Sequence, residues 1–171
     1  MSDQLNPVAI NPGAIAGKTV TAISSGSNHT CAVASGQAYC WGSNNNGQLG
    51  VGNSLQFGLN PMPVNASGVL ENKTINSISA GVDYTCVRAN GQAYCWGDNS
   101  SGQLGDATTS NRSAPVSVNT SGALAGKTVS DVSAGLGRTC AVASGQAYCW
   151  GAGYDGLIQS TPVAMSPLPQ L

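Results

Sequence analysis

Charged residues are scarce in this chain. They make up 8% of its 171 residues, about a third of the share in a typical soluble domain. The net charge is −1, and Lys and Arg form no run. Because proteins that bind nucleic acid neutralise phosphates with clustered Lys and Arg, we expect no nucleic-acid partner.

Long apolar runs are also missing. No segment approaches the about 20 apolar residues that a membrane-spanning helix needs, so no membrane span is expected. The first ten residues have neither a basic start nor an apolar stretch, so no secretory signal peptide is visible. A secreted protein with this sequence would be a mature form whose leader has been removed.

Recognisable catalytic and metal-binding patterns are absent as well. The one histidine, His29, corresponds to Tyr84 and Arg138 in later repeats, which indicates a surface loop position and leaves too few imidazoles for a typical zinc site. A glycosidase needs two placed carboxylates, and the nearest candidates, Asp98 and Asp106, are interpreted as turn caps. There is no Gly-x-Ser-x-Gly elbow and no acidic cluster for calcium. The sequence predicts no catalytic residue, no metal and no cofactor.

What the chain does contain is a 13-residue motif in three copies. The copies span residues 30–42, 85–97 and 139–151, at spacings of 55 and 54 residues. Residues 140–151 are identical to residues 31–42. A period of this size indicates a stacked or radial array of one supersecondary unit.

Each motif is predicted to form a β-hairpin. Ser-Gly or Asn-Gly stands midway between two cysteines, and Asn-Gly is a strong signal for a two-residue type I′ turn. Counting outward from that turn places Cys31 opposite Cys40 in a non-hydrogen-bonded pair, with Cα atoms about 4.5 Å apart. That distance lies within the range of about 4.4–6.8 Å that disulfides accept.

The same count applies to all six cysteines of the chain. It predicts three disulfides, Cys31 with Cys40, Cys86 with Cys95, and Cys140 with Cys149. Reduced thiols packed in the core are the alternative. Because disulfides persist in oxidising compartments, we expect an extracellular or cell-surface protein.

Other features repeat with the hairpin. Asn-x-x-Gly-Gln-Leu-Gly follows at residues 44–50 and 99–105, where it predicts a compact turn with one buried anchor, Leu49 or Leu104, and is degraded at 153–158. The strand before each hairpin ends at Gly26, Gly81 or Gly135, and small residues there are expected to let strands crowd near a central axis. Proline-led segments predicted to be edge strands lie at 7–10, 63–64, 115–118 and 162–165. The aromatic residues of the hairpins are predicted to form core between repeated units, although stacking on sugars is the alternative: Tyr39, Trp41, Tyr94, Trp96, Tyr148 and Trp150.

A strand ending in glycine, a hairpin ending in Trp-Gly, then Asn-x-x-Gly-Gln-Leu-Gly and Pro-Val together resemble the regulator of chromosome condensation repeat. The resemblance covers about residues 7–165. It implies an all-β fold, a β-propeller of four-stranded blades, usually seven, that works mainly as a protein-binding scaffold. The paired cysteines resemble those of secreted bacterial members. The exchange-factor role of the best-known eukaryotic member is not carried over, because cysteine usage and charge argue against a nuclear protein.

The sequence divides into an N-terminal segment, 1–12, and repeats at 13–67, 68–121 and 122–171, the last one shortened. The expected fold is an array of three four-stranded blades. Because propellers close with about 4–8 blades, the ring is incomplete within one chain. The chain is then a fragment, half of a six-bladed ring shared by two chains, or a filament subunit.

One proline-led segment has no hairpin of its own and is a candidate assembly strand: Pro7, Val8, Ala9 and Ile10. It can add to an open blade of a neighbour by β-strand addition. The alternatives are that it belongs to the first blade of its own chain, or that it starts an incomplete preceding blade.

Taken together, the sequence predicts a non-enzymatic extracellular interaction or assembly module. The expected partner is a copy of itself, bound through a blade edge or an added strand, or another protein. The alternative function is a secreted binder of a foreign protein or a glycan, with an enzyme the least expected class. Loops 51–60 and 106–114 are the places to look for partner contacts, because loops on a rigid scaffold often carry binding.

Overall fold

The computed structural model describes residues 6–153 and 156–165. A short 3-10 helix at Gly13–Ile15 precedes the first strand. The strands of blade 1 are β1 (Val20–Ser25), β2 (His29–Ala34), β3 (Gln37–Ser43) and β4 (Phe57–Pro63). Those of blade 2 are β5 (Ile75–Ala80), β6 (Tyr84–Ala89), β7 (Gln92–Gly97) and β8 (Arg112–Ser117). Those of blade 3 are β9 (Val129–Ala134), β10 (Arg138–Ala143), β11 (Gln146–Ala152) and β12 (Ile158–Ala164).

The described residues form an all-β array of three four-stranded antiparallel sheets. In each sheet the strands lie in chain order, so that β1, β5 and β9 occupy one edge and β4, β8 and β12 the other. Strand β5 packs against β1 and β2, and β9 packs against β5 and β6. The first strands therefore gather near a common axis, and the array does not close into a ring. This is the fold that the sequence predicts.

The hairpin prediction is confirmed in every blade. Both turn residues have positive φ, for example 49° at Ser35 and 76° at Gly36, as a type I′ turn requires. Cys31 pairs with Cys40 in the β2–β3 register, and the three disulfides form with Cα–Cα distances of 4.1 Å. Turn chemistry alone was enough to place the sulfur atoms.

The prediction that proline opens the fourth strand of each blade is wrong. Pro63 ends β4, while Pro115 and Pro162 lie inside β8 and β12. The predicted edge position is correct, since these strands are outermost. A proline has no N–H to donate, and at an edge one side of the strand needs no partner.

The candidate assembly strand Pro7–Ile10 forms no strand in the structure, and all four of its residues are exposed. The alternative that it completes blade 1 is therefore wrong, because no strand of blade 1 pairs with it. The chain instead turns at Asn11, whose Oδ1 accepts the Gly13 N–H at 3.2 Å, and the following 3-10 helix packs on β4. Pairing of Pro7–Ile10 with another chain stays a prediction.

The two faces of a blade differ in chemistry. The disulfide face carries both cysteines: Cys31, Val33, Ala38 and Cys40 in blade 1, Cys86, Arg88, Ala93 and Cys95 in blade 2, and Cys140, Val142, Ala147 and Cys149 in blade 3. The tryptophan face carries the aromatic residues: Ile23, Ala32, Tyr39 and Trp41 in blade 1, Ile78, Val87, Tyr94 and Trp96 in blade 2, and Val132, Ala141, Tyr148 and Trp150 in blade 3.

The hydrophobic core lies between the blades. The disulfide face of blade 1 packs against the tryptophan face of blade 2, and we call this contact the first interface. The disulfide face of blade 2 packs in the same way against blade 3, forming the second interface. Trp96 and Trp150 are almost completely buried there, as predicted for core residues, whereas Trp41 is only half-buried. Within the described residues, no helix is long and apolar enough to span a membrane.

Candidate functional site: the interfaces between blades and the two open faces

At each closed interface, one main-chain carbonyl accepts two hydrogen bonds from side chains of the next blade. At the first interface, Gln48 O accepts hydrogen bonds from Trp96 Nε1 at 2.9 Å and from Thr85 Oγ1 at 3.0 Å. At the second, Gln103 O accepts from Trp150 Nε1 at 2.9 Å and Thr139 Oγ1 at 2.7 Å. Both donors are buried, and a buried donor without a partner costs about 1–3 kcal/mol. The carbonyl therefore selects one position of the neighbouring blade.

The loops that present these carbonyls are residues 44–50 and 99–105, called here the Gln loops. In the first loop, Asn44 Oδ1 accepts the Leu49 N–H at 2.9 Å and Gln48 Oε1 accepts the Asn46 N–H at 2.9 Å. Leu49 is fully buried, as predicted for the anchor of this turn. Gly50 has φ of 68°, and a Cβ there would lie 2.6 Å from Trp96 Nε1. The Asn, Gln, Leu and Gly of the motif thus each have a structural task.

The two Gln loops differ in where the glutamine amide points. Gln48 Nε2 donates across the interface to Asp83 Oδ1 at 3.0 Å. Gln103 Nε2 donates to Asp98 Oδ2 at 2.6 Å, within its own blade. The glutamine amide therefore ties the first loop to the next blade, whereas that of the second loop does not.

A second set of bonds joins the first strands near the axis. Ser24 Oγ accepts the Ala80 N–H at 2.9 Å, and Ser79 Oγ accepts the Ala134 N–H at 2.9 Å. A Cβ on Gly26 would overlap the main-chain oxygen of Gly81. Neighbouring backbones thus approach each other closely at this point, as predicted for small residues near a central axis.

The hairpin turns add a further bond at the far end of the blades. Gly36 O accepts the Ile75 N–H at 2.9 Å, and Gly91 O accepts the Val129 N–H at 2.8 Å. The Cβ position of each turn glycine meets the methyl group of a threonine in the next blade, Thr74 or Thr128. Every turn that has a following blade makes this contact.

His29 is buried at the first interface, so its predicted surface position is wrong. Its side chain is 3% exposed, and Nε2 lies 2.9 Å from Thr85 Oγ1. Because the Thr85 hydroxyl donates its one proton to Gln48 O, His29 Nε2 carries the proton of this bond. Nδ1 then remains a buried acceptor without a partner among the described residues.

This setting favours the neutral imidazole. Burial lowers the pKa of His29 to about 4, against an opposing effect of the Asp83 carboxylate. A proton added at Nδ1 would create a donor with no acceptor nearby. His29 therefore packs as a neutral side chain near pH 7.

Tyr84 occupies at the second interface the position that His29 occupies at the first. We call this position the polar slot. Its hydroxyl donates to Arg138 O at 2.7 Å and accepts the Gly135 N–H at 2.9 Å. It also lies 3.0 Å from Thr139 Oγ1. Burial raises the pKa of Tyr84, so the phenol stays protonated. The slot is polar in both interfaces, but only the tyrosine is fully hydrogen-bonded.

Among the described residues no blade packs on the tryptophan face of blade 1, which is open at Ile23 and Trp41, while Ala32 and Tyr39 of the same face are 1% and 3% exposed. Ile23 is 65% exposed there, whereas its counterparts Ile78 and Val132 are 9% and 6% exposed. Trp41 is only half-buried, and among the described residues its indole N–H has no acceptor of the kind that Gln48 and Gln103 provide. Ile23 and Trp41 thus expose apolar surface whose counterparts are buried in the closed interfaces.

The disulfide face of blade 3 is open in the same way. Cys140 is half-buried, in contrast to the complete burial of Cys31 and Cys86. Val142 is 41% exposed and Leu136 is 84% exposed. A groove of about 630 Å³ runs beside Leu136 and Arg138 on this face. The two ends of the array thus expose opposite halves of one interface.

The acidic candidates have structural tasks. Asp98 Oδ1 accepts the Ser100 N–H at 3.2 Å, and Asp106 Oδ1 accepts the Thr108 N–H at 3.0 Å, which confirms both as turn caps. Burial alone would raise the pKa of Asp106, but hydrogen bonds from Thr108 and Arg112 and the Arg112 charge together lower it. Asp3 and Asp155 lie outside the described residues. Within the described ranges, no group of three or more His, Cys, Asp or Glu side chains is placed to hold a metal ion.

The variable loops border a polar groove of about 600 Å³ between blades 1 and 2. Amide side chains line much of it: Asn44, Asn45, Asn46, Asn53, Gln56 and Asn111. Asn111 Nδ2 donates to Asn46 Oδ1 at 3.3 Å, so the loops of two blades meet there. No aromatic side chain is among these lining residues.

Comparison with known proteins supports the repeat assignment. The regulator of chromosome condensation (RCC1) repeat model matches residues 35–88 and 90–142, and a second model of the same description matches 20–48 and 75–103. The human E3 ubiquitin-protein ligase HERC2 is 32% identical over 142 residues, which cover 80% of this chain and 3% of HERC2. The Arabidopsis thaliana ultraviolet-B receptor UVR8 is 33% identical over 153 residues, covering 88% of this chain and 33% of the receptor.

Solved structures show the same fold. Human WBSCR16 superposes with a TM-score of 0.77 at 19% identity, over 88% of this chain and 39% of that one. Yeast RCC1 (Prp20), solved with Kap60 bound, gives a TM-score of 0.72 at 23% identity, over 86% of this chain and 37% of that one. The chain thus spans well under half the length of these proteins. It belongs to the regulator of chromosome condensation (RCC1) repeat family.

Proposed function

We propose that this chain is a non-enzymatic, extracellular interaction module that binds proteins, copies of itself first, by adding blades at its two open faces. The observation that carries the proposal is the exposure of Ile23, 65% against 9% for its counterpart Ile78 in a closed interface. With Val20, which is 46% exposed, and the half-buried Trp41, Ile23 forms a contiguous apolar surface of the kind that marks interaction sites.

The closed interfaces support this proposal because they show what a filled face contains. An apolar layer, a Gln-loop carbonyl and three main-chain hydrogen bonds hold each pair of blades. A related propeller, yeast RCC1, binds the protein Kap60. A module made of such blades is suited to contacts with other folded proteins.

The non-enzymatic part of the proposal rests on the tasks found for the reactive residues. Asp98 and Asp106 cap turns, and His29 is buried inside an interface. HERC2 is an E3 ubiquitin-protein ligase, but this chain covers 3% of it. The extracellular part rests on the disulfide in each blade, since such bonds persist in oxidising compartments.

The polar groove between blades 1 and 2 favours a second candidate function, the binding of a foreign protein or a glycan. Its amide side chains offer many donors and acceptors. Sugar sites usually add an aromatic face for stacking, and no aromatic side chain lines this groove. A glycan array with the purified protein tests this candidate, and an array without signal above a Gln56→Ala, Asn53→Ala control rejects the glycan form.

The experiment for the leading proposal is a mass measurement in solution over a wide range of protein concentration. We expect the wild type to form species larger than one chain, and Ile23→Asp to remain a monomer, because it places a charge on the exposed apolar face. Thr120→Asp adds the same charge to an exposed segment outside both open faces and the two variable loops, and serves as the control. A wild type that stays monomeric at all concentrations would contradict self-association.

A further inference from the structure

We infer that the partner of each open face is a second copy of this chain docked head to tail, with the disulfide face of blade 3 against the tryptophan face of blade 1. This inference rests on the proposed function and specifies its partner and register. The contact would be a third interface that continues the series of the two closed ones.

The first argument is chemical identity. Residues 140–151 repeat residues 31–42 without a change, so blade 3 offers the surface with which blade 1 already packs on a tryptophan face. Val142 and Ala147 stand for Val33 and Ala38 of the first interface.

The second argument is that the axial hydrogen bond can be completed. In both closed interfaces a serine oxygen accepts a main-chain N–H, Ser24 from Ala80 and Ser79 from Ala134. Ser133 occupies the serine position in blade 3, and it is exposed. The N–H of Ser25 occupies the donor position in blade 1. Head-to-tail docking brings Ser133 to Ser25.

The third argument comes from the hairpin turns. The Cβ positions of Gly36 and Gly91 meet Thr74 and Thr128 of the next blade, whereas the Cβ position of Gly145 meets nothing within 4 Å. Thr19 precedes β1 as Thr74 precedes β5. A second copy would therefore fill the space at Gly145 with Thr19, and Gly145 O would accept the Val20 N–H.

These three positions define a heterologous contact, because each needs the opposite end of the partner. A contact between two disulfide faces or two tryptophan faces would leave the serines and the turn carbonyls without donors. A heterologous contact closes into a ring or continues as a filament, depending on its rotation.

The third interface would lack the Gln-loop carbonyl that both closed interfaces contain. In blade 3 the Asn-x-x-Gly-Gln-Leu-Gly motif is degraded, and Leu157 O, which replaces the Gln48 and Gln103 carbonyls in sequence, accepts the Gly153 N–H at 2.8 Å. Arg138 stands in the slot of His29 and Tyr84, opposite Thr30 of the partner. The contact is thus weaker than a closed interface, which suits association between separate chains.

The register is tested by two cysteine variants, Ser133→Cys and Ser25→Cys, in the full chain under mild oxidation. Both serines are exposed, so neither change disturbs the core. We expect a covalent dimer when the two variants are mixed, and none when each is oxidised alone. The double variant Ser79→Cys, Ala134→Cys, which places the pair inside the second interface, is the control and should cross-link within one chain. Peptide mapping checks that the native disulfides stay intact.

The outcomes separate the two proposals. Noncovalent oligomers without a cross-link in the mixture would overturn the head-to-tail register and leave self-association in place. Covalent dimers of Ser133→Cys alone, or of Ser25→Cys alone, would show a symmetric contact and also overturn it. The absence of any oligomer from the wild type would overturn both.

Discussion

The first and second interfaces have the same frame and a different polar slot. In both, a Gln-loop carbonyl binds a tryptophan and a threonine, and a serine binds a main-chain N–H. In the slot, Tyr84 satisfies its hydroxyl with partners on both sides, whereas His29 leaves Nδ1 buried without one. The frame is made largely by main-chain atoms, and the slot by side chains that vary between repeats.

The largest loss in the free energy of unfolding should come from removing the tryptophan that binds the Gln-loop carbonyl at each closed interface. Trp96→Ala and Trp150→Ala each remove a buried aromatic side chain, at a cost of about 3–5 kcal/mol in the free energy of unfolding. Trp41→Ala, at the open face, should cost much less in the monomer, because Trp41 is only half-buried. Denaturant unfolding at low protein concentration measures all three, and equal losses would contradict the division into closed and open faces.

The disulfides allow a similar comparison between a closed interface and an open face. Cys140→Ser with Cys149→Ser should cost about 2–3 kcal/mol, mainly because the unfolded chain gains freedom. Cys31→Ser with Cys40→Ser should cost more, since both residues are fully buried at the first interface and the new hydroxyls would be buried too. Thermal unfolding of the two double variants, with alkylation to confirm the remaining bridges, measures the difference.

The polar slots should separate the two interfaces by pH. His29 has a pKa of about 4 in the folded chain against 6.5 in the unfolded one, so the unfolded state binds more protons between these values. Stability is then complete above about pH 6.5 and falls by about 2–3 kcal/mol as the pH drops toward 4.

Exchanging the residues of the two polar slots tests this pH dependence more sharply. His29→Tyr should remove the loss between pH 6.5 and 4, and Tyr84→His should add a second one. The measurement is the unfolding free energy at several pH values in that window. A wild type and a His29→Tyr variant with parallel pH profiles would show that His29 does not control the loss.

The smallest effect is expected at the axis. Ser24→Ala and Ser79→Ala each leave a main-chain N–H without its acceptor, a loss of about 1 kcal/mol. Ser133→Ala should leave the stability of the monomer unchanged, because Ser133 accepts no hydrogen bond from another blade within the described residues. The same variant should weaken self-association if the third interface exists. Unfolding and mass measurements on the three variants test both statements.

Much of the blade was predictable because its local chemistry is explicit. A turn of Ser-Gly or Asn-Gly fixed the register that pairs Cys31 with Cys40, and the repeat period placed Trp96 and Trp150 in equivalent core positions. Leu49 was identified as a buried anchor from the glycines and the asparagine around it. These features depend on residues close in the sequence.

The interfaces were harder to predict because their main bonds do not depend on side-chain identity. Gln48 and Gln103 act through main-chain oxygens, which no sequence pattern reveals directly. The variation among His29, Tyr84 and Arg138 suggested a free surface position, although the slot only requires a polar group that reaches across to the next blade. Pro7–Ile10 alternates like a strand, but the described chain provides no strand beside it.

The close approach of Gly26 to Gly81 has a consequence for how such a protein can change in length. The backbones of neighbouring blades meet there without an intervening Cβ, because a Cβ at Gly26 or Gly81 would overlap the main-chain oxygen of Gly81 or Gly135 in the next blade. Duplicating or deleting a whole unit would leave this contact between the remaining units unaltered. The number of units therefore determines how far the arc extends, while its curvature depends on the glycine contact that each unit repeats.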